Sequence, residues 1–238
     1  MDSGIWISWY DLPERGRSDY LAWLHEIHIP ALLKRPGWLW AAHYASLERP
    51  SRNHTLTHVD DASLPTGDRY ILLFGAEHAH VFGDIVAGAL SAALSPQDRA
   101  MLALRQGERS NVFTEAARVT GSAERSYAAG MVPAPCIQLG SYNCAWQDEE
   151  ELLAWYAQWR LPAMEKLPGM VRTRKLASVA GWAKHALIYE WTSLEARNQV
   201  WSTYENEHPE MKAWSARMVP KLTHAPGSAN VALRIWPA

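Results

Sequence analysis

The chain has 238 residues, 23 Lys and Arg against 25 Asp and Glu, and 48% hydrophobic residues. That length suits one large or two small globular units of about 100 to 150 residues each. The near-neutral charge excludes an electrostatic nucleic-acid footprint, and no apolar run approaches the ~20 residues that span a bilayer.

The N-terminal MDSGIWISWY lacks a basic segment followed by an apolar stretch, so a soluble, cytoplasmic protein without nucleic-acid or membrane partners is expected. Cys136 and Cys144 flank a predicted strand and would lie roughly 26 Å apart if it is extended, too far to pair, which fits a reducing compartment. Thirteen tryptophans against three phenylalanines stand out. Indole serves both as core filler and as the wall of a pocket for flat ligands.

In chain order, Ile5 to Tyr10 is short, β-branched and aromatic, and the turn-like Asp11-Leu-Pro-Glu-Arg-Gly follows, which makes it the first strand. Asp19 to Gly37, DYLAWLHEIHIPALLKRPG, reads as a helix with Tyr20, Leu21, Leu24, Ile27, His28 and Ala31 on one stripe. Pro30 cannot donate to the Glu26 carbonyl and its ring crowds that turn, so the helix kinks or loosens just after His28. Pro36-Gly37 ends it. Trp38 to Ser46 then reads as the second strand, Leu47 to Arg69 as a polar loop or hairpin extension, and Tyr70 to Phe74 as the third strand. Asp84 to Leu94 and Pro96 to Arg105 are helical in character, and about Asn111 to Val119 is the last strand of this half.

The pattern then returns in the second half of the chain at a constant offset, without a gap. Leu21, Ala22, Trp23, Pro30, Ala31, Pro36 and Gly37 recur as Leu153, Ala154, Trp155, Pro162, Ala163, Pro168 and Gly169. Strands at Ile137 to Tyr142, Met170 to Ser178, Ala186 to Glu190 and Asn230 to Trp236 match those of the first half, with helices over Ser193 to Tyr204 and Pro209 to Met218. Repeated Trp, Pro and Gly, the residues with the tightest steric demands, argue for a duplicated unit. The expected division is a first repeat at 1–120 with an insertion at 47–69, a linker at 121–131 and a second repeat at 132–238. Each half has the order β-α-β-β-α-β of a ferredoxin-like unit, whose sheet leaves one face bare. Packing the two sheets face to face gives the expected fold class, an α+β barrel built within one chain.

The run Trp23-x4-His28-x-Pro30-x5-Pro36-Gly37 resembles the signature of EthD-like proteins in the dimeric α+β barrel superfamily. That superfamily includes isomerases, cyclases, decarboxylases and monooxygenases, and in some relatives the helix histidine takes part in proton transfer, which the resemblance implies for His28. Family members often carry a Tyr at the position of Ala41 here, so the hydroxyl would come from Tyr10 or Tyr44. In the second half Arg160 replaces the histidine, so the same site is not expected there.

The residues thus expected to carry chemistry are His28 as acid or base and Tyr10 or Tyr44 as hydrogen-bond donor, with Trp9, Trp23, Trp40, His25 and His43 around the substrate. The alternative for His28 is a core imidazole satisfied by a backbone carbonyl. No metal is expected: His54 and His58 have i, i+4 spacing but no predicted helix beneath them, and neither that pair nor the His-x-His of Glu77-His78-Ala79-His80, which lies near Asp84, has a third ligand fixed by spacing. No phosphate loop, nucleophile elbow or CxxC pair is present, and no residue stands out as a haem ligand, although some relatives bind haem. The expected function is a cofactor-independent lyase or isomerase acting on a small aromatic or polycyclic metabolite. A non-catalytic binding protein for a flat hydrophobic ligand, and a metal- or haem-dependent oxygenase, are the alternatives. A homodimer is compatible with the outer surface.

Overall fold

The computed structural model describes residues 2–47, 56–83, 94–124, 132–201 and 204–237. Alternation along strand β1 (Gly4–Asp11) sends Ile5, Ile7 and Trp9 to one face of the sheet and Trp6 and Tyr10 to the other. The same rule sorts β2 (Trp38–Ser46), where Trp40, Ala42 and Tyr44 face one way and Ala41 the other. A short β3 (Thr57–His58), then β4 (Tyr70–Ala76) and β5 (Gln106–Thr120), complete the first half. The second half supplies β6 (Cys136–Asn143), β7 (Met170–Ala180), β8 (His185–Trp191), a short β9 (Thr223–His224) and β10 (Asn230–Trp236).

Neighbouring strands run in the order β2-β4-β1-β5 in the first half and β7-β8-β6-β10 in the second. Both are the antiparallel order of a ferredoxin-like sheet. The bare faces meet on a shared interior that includes Ile5, Ile7, Phe113, Ile137, Leu139 and Ile188. The sheets are also joined edge to edge, β5 to β7 and β10 to β2, which closes eight strands into one antiparallel barrel. Closure leaves these edges no unpaired backbone for another chain. The fold is thus the expected α+β barrel.

Helix α1 starts as Arg17–Trp23, widens into a π-helical turn at Leu24–His28 and ends as Ile29–Leu32. The cause is Pro30: with no N–H to give the Glu26 carbonyl, the chain widens so that Ile29 N–H reaches back five residues to Leu24. The wider turn shifts the phase of the buried stripe. Ile27 is 55% exposed and Ala31 is exposed, contrary to the regular helical spacing, while Trp23, Ile29 and Leu32 are buried in their place. Helix α2 (Pro96–Leu102) follows in the first half. Helix α3 repeats the device at the matching place in the second half, as Glu149–Trp155, a π turn at Tyr156–Arg160 and Leu161–Met164. Gly37 and Gly169, at φ 81 and 74, make the left-handed turn that follows each helix. Helices α4 (Leu194–Trp201), α5 (Tyr204–Glu207) and α6 (Pro209–Met218) finish the second half.

The barrel is filled rather than hollow. Trp9, Trp40 and Tyr44 lie in its interior, Trp40 tucked against Gly75, where any Cβ would collide with the indole. At one end Arg174 ion-pairs with Asp2 at 2.8 Å and Glu190 at 3.2 Å, and Arg172 meets Glu190 at 2.8 Å. β3 pairs in parallel with β9, so the polar extension reaches across to the other half. Much of that extension, including His54, lies outside the described residues, as do most of the helix expected at Asp84 to Leu94 and of the linker at 121–131. No helix among the described residues is long and apolar enough to cross a membrane. Cys136 and Cys144 are both free thiols.

Candidate functional site

The polar chemistry of the first half gathers between its sheet and helix α1, on the face opposite the barrel interior. Tyr10 and His43 project from β1 and β2 into this layer, and both are fully buried. The Tyr10 hydroxyl lies 2.9 Å from His43 Nε2, and His43 Nδ1 lies 2.8 Å from Nε2 of His25 on the π turn. His25 is only partly buried and stacks on Trp236 at 5.9 Å. The three side chains therefore form one hydrogen-bonded line from a sealed phenol to the rim. Two proton arrangements satisfy it. Either the hydroxyl donates outward to His43 and His43 donates to His25, or both donations reverse; exchanging them moves a proton along the line.

Electrostatics favour the neutral forms. Burial, followed by the neighbouring His25 and the Arg105 guanidinium, holds His43 well below the ordinary imidazole range, and burial lowers His25 as well. Tyr10 is raised above the ordinary phenol range, chiefly by burial, with the Arg105 guanidinium opposing that rise. Arg105 lies 4.5 Å over the Tyr10 ring, gives Nε–H to the Tyr20 hydroxyl at 2.6 Å and pairs with Glu108 at 2.6 Å. Burial works against its charge, but the two tyrosines and Glu108 outweigh it and keep it a cation.

His28 sits in the same layer but outside this line. Its ring stacks on Trp23 at 4.5 Å, and Trp23 in turn donates to Asp98 at 2.8 Å. Among the described residues His28 makes no hydrogen bond, and burial first, then Arg105, lowers its pKa to about 4. It is 7% exposed and borders neither described cavity. A groove of about 390 Å³ opens nearby, lined by Arg17, Ser46, Asp68, Arg69, Tyr70 and Asn230 among others. Tyr70 joins groove and line, its ring stacked on Tyr10 at 5.9 Å and tilted against His43 at 5.5 Å.

Of the residues singled out from sequence, Tyr10, Trp23, His25, His28 and His43 come together in this layer. Trp9, Trp40 and Tyr44 do not: strand alternation turns them into the barrel, where Trp40 donates to Asp2 at 2.8 Å and Tyr44 to the Ala134 carbonyl at 2.8 Å. Arg105, Tyr20 and Tyr70 were missed. Tyr20 was legible as part of the α1 stripe, whereas nothing local marks Arg105.

The equivalent layer of the second half is also polar. Tyr142 donates to Tyr156 at 2.6 Å, Arg160 Nε–H to the Tyr189 hydroxyl at 2.9 Å, and Lys175 Nζ lies 2.9 Å from His185 Nδ1. His185 Nε2 is 2.9 Å from Glu149. Cys144, Glu149 and His185 have donor atoms within 4.8 Å of one another. Two lysine amines already engage this cluster, Lys184 on Glu149 at 2.8 Å and Lys175 on His185, so it is a hydrogen-bonded set rather than a ligand cage. A haem would need an imidazole nitrogen free to face its iron. His43 and His185 each commit both nitrogens, and no described cavity borders His28, so none of these three is placed as a haem ligand.

No protein-family profile matches the chain, and no curated protein matches it in sequence. Its fold is similar to that of an anthrone oxidase-like protein, with a TM-score of 0.65, 13% identity, and 98% of this chain and 91% of that one covered. It is likewise similar to a presumed monooxygenase from Fusobacterium nucleatum subsp. nucleatum (TM-score 0.62, 7% identity, 98% and 93% covered). A dye-decolorizing peroxidase from Bacteroides thetaiotaomicron shares it too (TM-score 0.54, 9% identity, 98% and 93% covered). Identities this low speak for the fold alone: the chain has the α+β barrel fold, with EthD-like proteins not singled out within it.

Proposed function

We propose that the chain is an enzyme of small aromatic or polycyclic metabolites that works by acid–base chemistry without a cofactor. The observation that carries this reading is the line Tyr10–His43–His25, which joins a sealed phenol to an imidazole at the rim. His25 takes a proton from the substrate at Nδ1 and passes its Nε2 proton to His43 Nδ1, whose Nε2–H the Tyr10 hydroxyl oxygen accepts as a hydrogen bond. The lowered pKa values keep both imidazoles unprotonated, and so free to accept a proton, at pH 7. Arg105, fixed as a cation beside Tyr10, opposes the rise that burial imposes on the phenol, which stays protonated. The groove offers Tyr70 as an aromatic wall and the Arg17 guanidinium as a cation to an oxygen of the ligand. The Trp23–His28–Pro30 signature supports an EthD-like affiliation, with His28 as a second neutral base in the same layer.

A deprotonated aromatic has two fates. Reprotonation at another atom makes the protein an isomerase or lyase, whereas electron donation to dioxygen makes it an oxygenase. The neighbours named for anthrone oxidation and monooxygenation favour the second. The test is a panel of anthrones, hydroxyquinones and phenolic acids incubated in air, followed by oxygen uptake and product mass. The expected result is turnover of one class, reduced about 10² to 10⁴-fold in His43→Gln. If compounds quench the tryptophan fluorescence yet all are recovered unchanged, the protein is a binding module for flat ligands.

A further inference from the structure

We propose that the second half holds its own reactive centre, in which Lys175, positioned by His185 and Glu149, forms an imine with small aldehydes. When the two halves are aligned on their repeated Trp, Pro and Gly residues, Lys175 falls on His43, at the same place on the second strand of its half. Its amine lies over the rings of Tyr142 and Tyr156, at 5.5 and 5.1 Å, as His43 lies against Tyr10. The groups facing it are His185, Glu149, Cys144, Lys184 and the two tyrosines.

Hydrogen-bond accounting fixes what this set can do. The Glu149 carboxylate only accepts, so His185 Nε2 carries a proton. His185 Nδ1 then accepts from Lys175, as ammonium or as neutral amine, or donates, as imidazolium, to the neutral amine. When the pair holds one proton, burial and Lys175 act to keep it off the imidazole while Glu149 acts to draw it there. Burial lowers the Lys175 pKa to about 7, so the free amine is well populated near neutrality. Cys144, Glu149 and Lys175 itself are partly exposed and Lys184 is 58% exposed, so the cluster lies at the protein surface, where a small aldehyde carrying a carboxylate would meet it.

The step balances within the cluster. The Lys175 nitrogen adds to the carbonyl carbon, its surplus proton passes through His185 to the new hydroxyl, and His185 as imidazolium protonates that hydroxyl so that water leaves and the C=N bond forms. No oxidant or reductant is consumed. This inference concerns the second half and stands or falls apart from the proton line of the first.

Glyoxylate with borohydride at pH 7.5, followed by peptide mass mapping, is the test. The reduced adduct should form on Lys175 on the order of a hundredfold faster than on exposed lysines such as Lys184, because an ordinary amine near pKa 10.4 is almost wholly protonated there. His185→Gln should remove most of that preference. Titration of the lysine ε-carbon NMR signals should give one with a midpoint near 7 that is lost in Lys175→Met. Adducts spread evenly over the exposed lysines, or a Lys175 midpoint above about 9, would overturn the proposal.

Discussion

His43 and Lys175 occupy one position in the two halves of the barrel, each packed against the tyrosine that its first strand turns toward the helices. The frame is the same, and the ionisable group differs. An imidazole can both donate and accept and so can sit inside a line of hydrogen bonds; an amine close to neutrality is instead a nucleophile. The two layers thus support different chemistry on one plan.

Acid should weaken the fold before the carboxylates titrate. His28 and His224 have folded pKa values of about 4 and His43 lies well below its ordinary range, all mainly through burial. Because these pKa values are depressed, the unfolded chain binds protons better. Stability is therefore full above about pH 6.5 and falls as pH drops from there toward 4, where His28 and His224 begin to protonate in the fold as well. Asp2, lowered to about 2, adds a further loss between about 3.8 and 2. Urea midpoints measured from pH 7.5 to 4.5 should show the decline, and His28→Gln should flatten it.

Tyr10→Phe and Tyr44→Phe separate the two faces of the sheet. Loss of the Tyr44 hydroxyl removes one buried bond to the Ala134 carbonyl and should cost about 1 kcal/mol with no change in turnover. Loss of the Tyr10 hydroxyl should cost about 1–3 kcal/mol, since His43 is sealed beside it, and should also depress turnover. Urea melts alongside rates on any accepted substrate resolve the pair.

Arg174 should contribute measurably to stability. It is fully buried and bridges Asp2 and Glu190 inside the barrel, so Arg174→Met removes one partner from each, leaving Glu190 to Arg172 and Asp2 to Arg118 and Trp40. Losing charge-assisted bonds of this kind costs about 1.5–3 kcal/mol, which denaturant titration would register as a drop in midpoint.

The sequence made the frame legible because period-2 strands and the paired Pro-Gly turns are local signals. Barrel closure was only half legible: alternation says which residues share a face, but the β5–β7 and β10–β2 edges depend on pairings between residues far apart in the chain. The helix stripe was misphased at Ile27 because a π turn adds a residue that regular spacing cannot register. Trp9, Trp40 and Tyr44 looked available to a pocket only because proximity in sequence ignores which side of the strand they leave from. His25 and His43 were named as substrate contacts, yet their bond to each other joins residues from a helix and a strand and has no local signature. Arg105 was invisible for the same reason.

The central claim is that the Tyr10–His43–His25 line moves substrate protons, and deuterium exchange under anaerobic conditions tests it without requiring the fate of the anion to be known. The acidic C–H of the aromatic probe that the protein accepts is followed by NMR in D₂O. The account predicts that wild-type protein accelerates its loss and that His43→Gln, judged folded by its urea midpoint, is slower by about 10² to 10⁴-fold. Exchange at the wild-type rate in folded His43→Gln would contradict it.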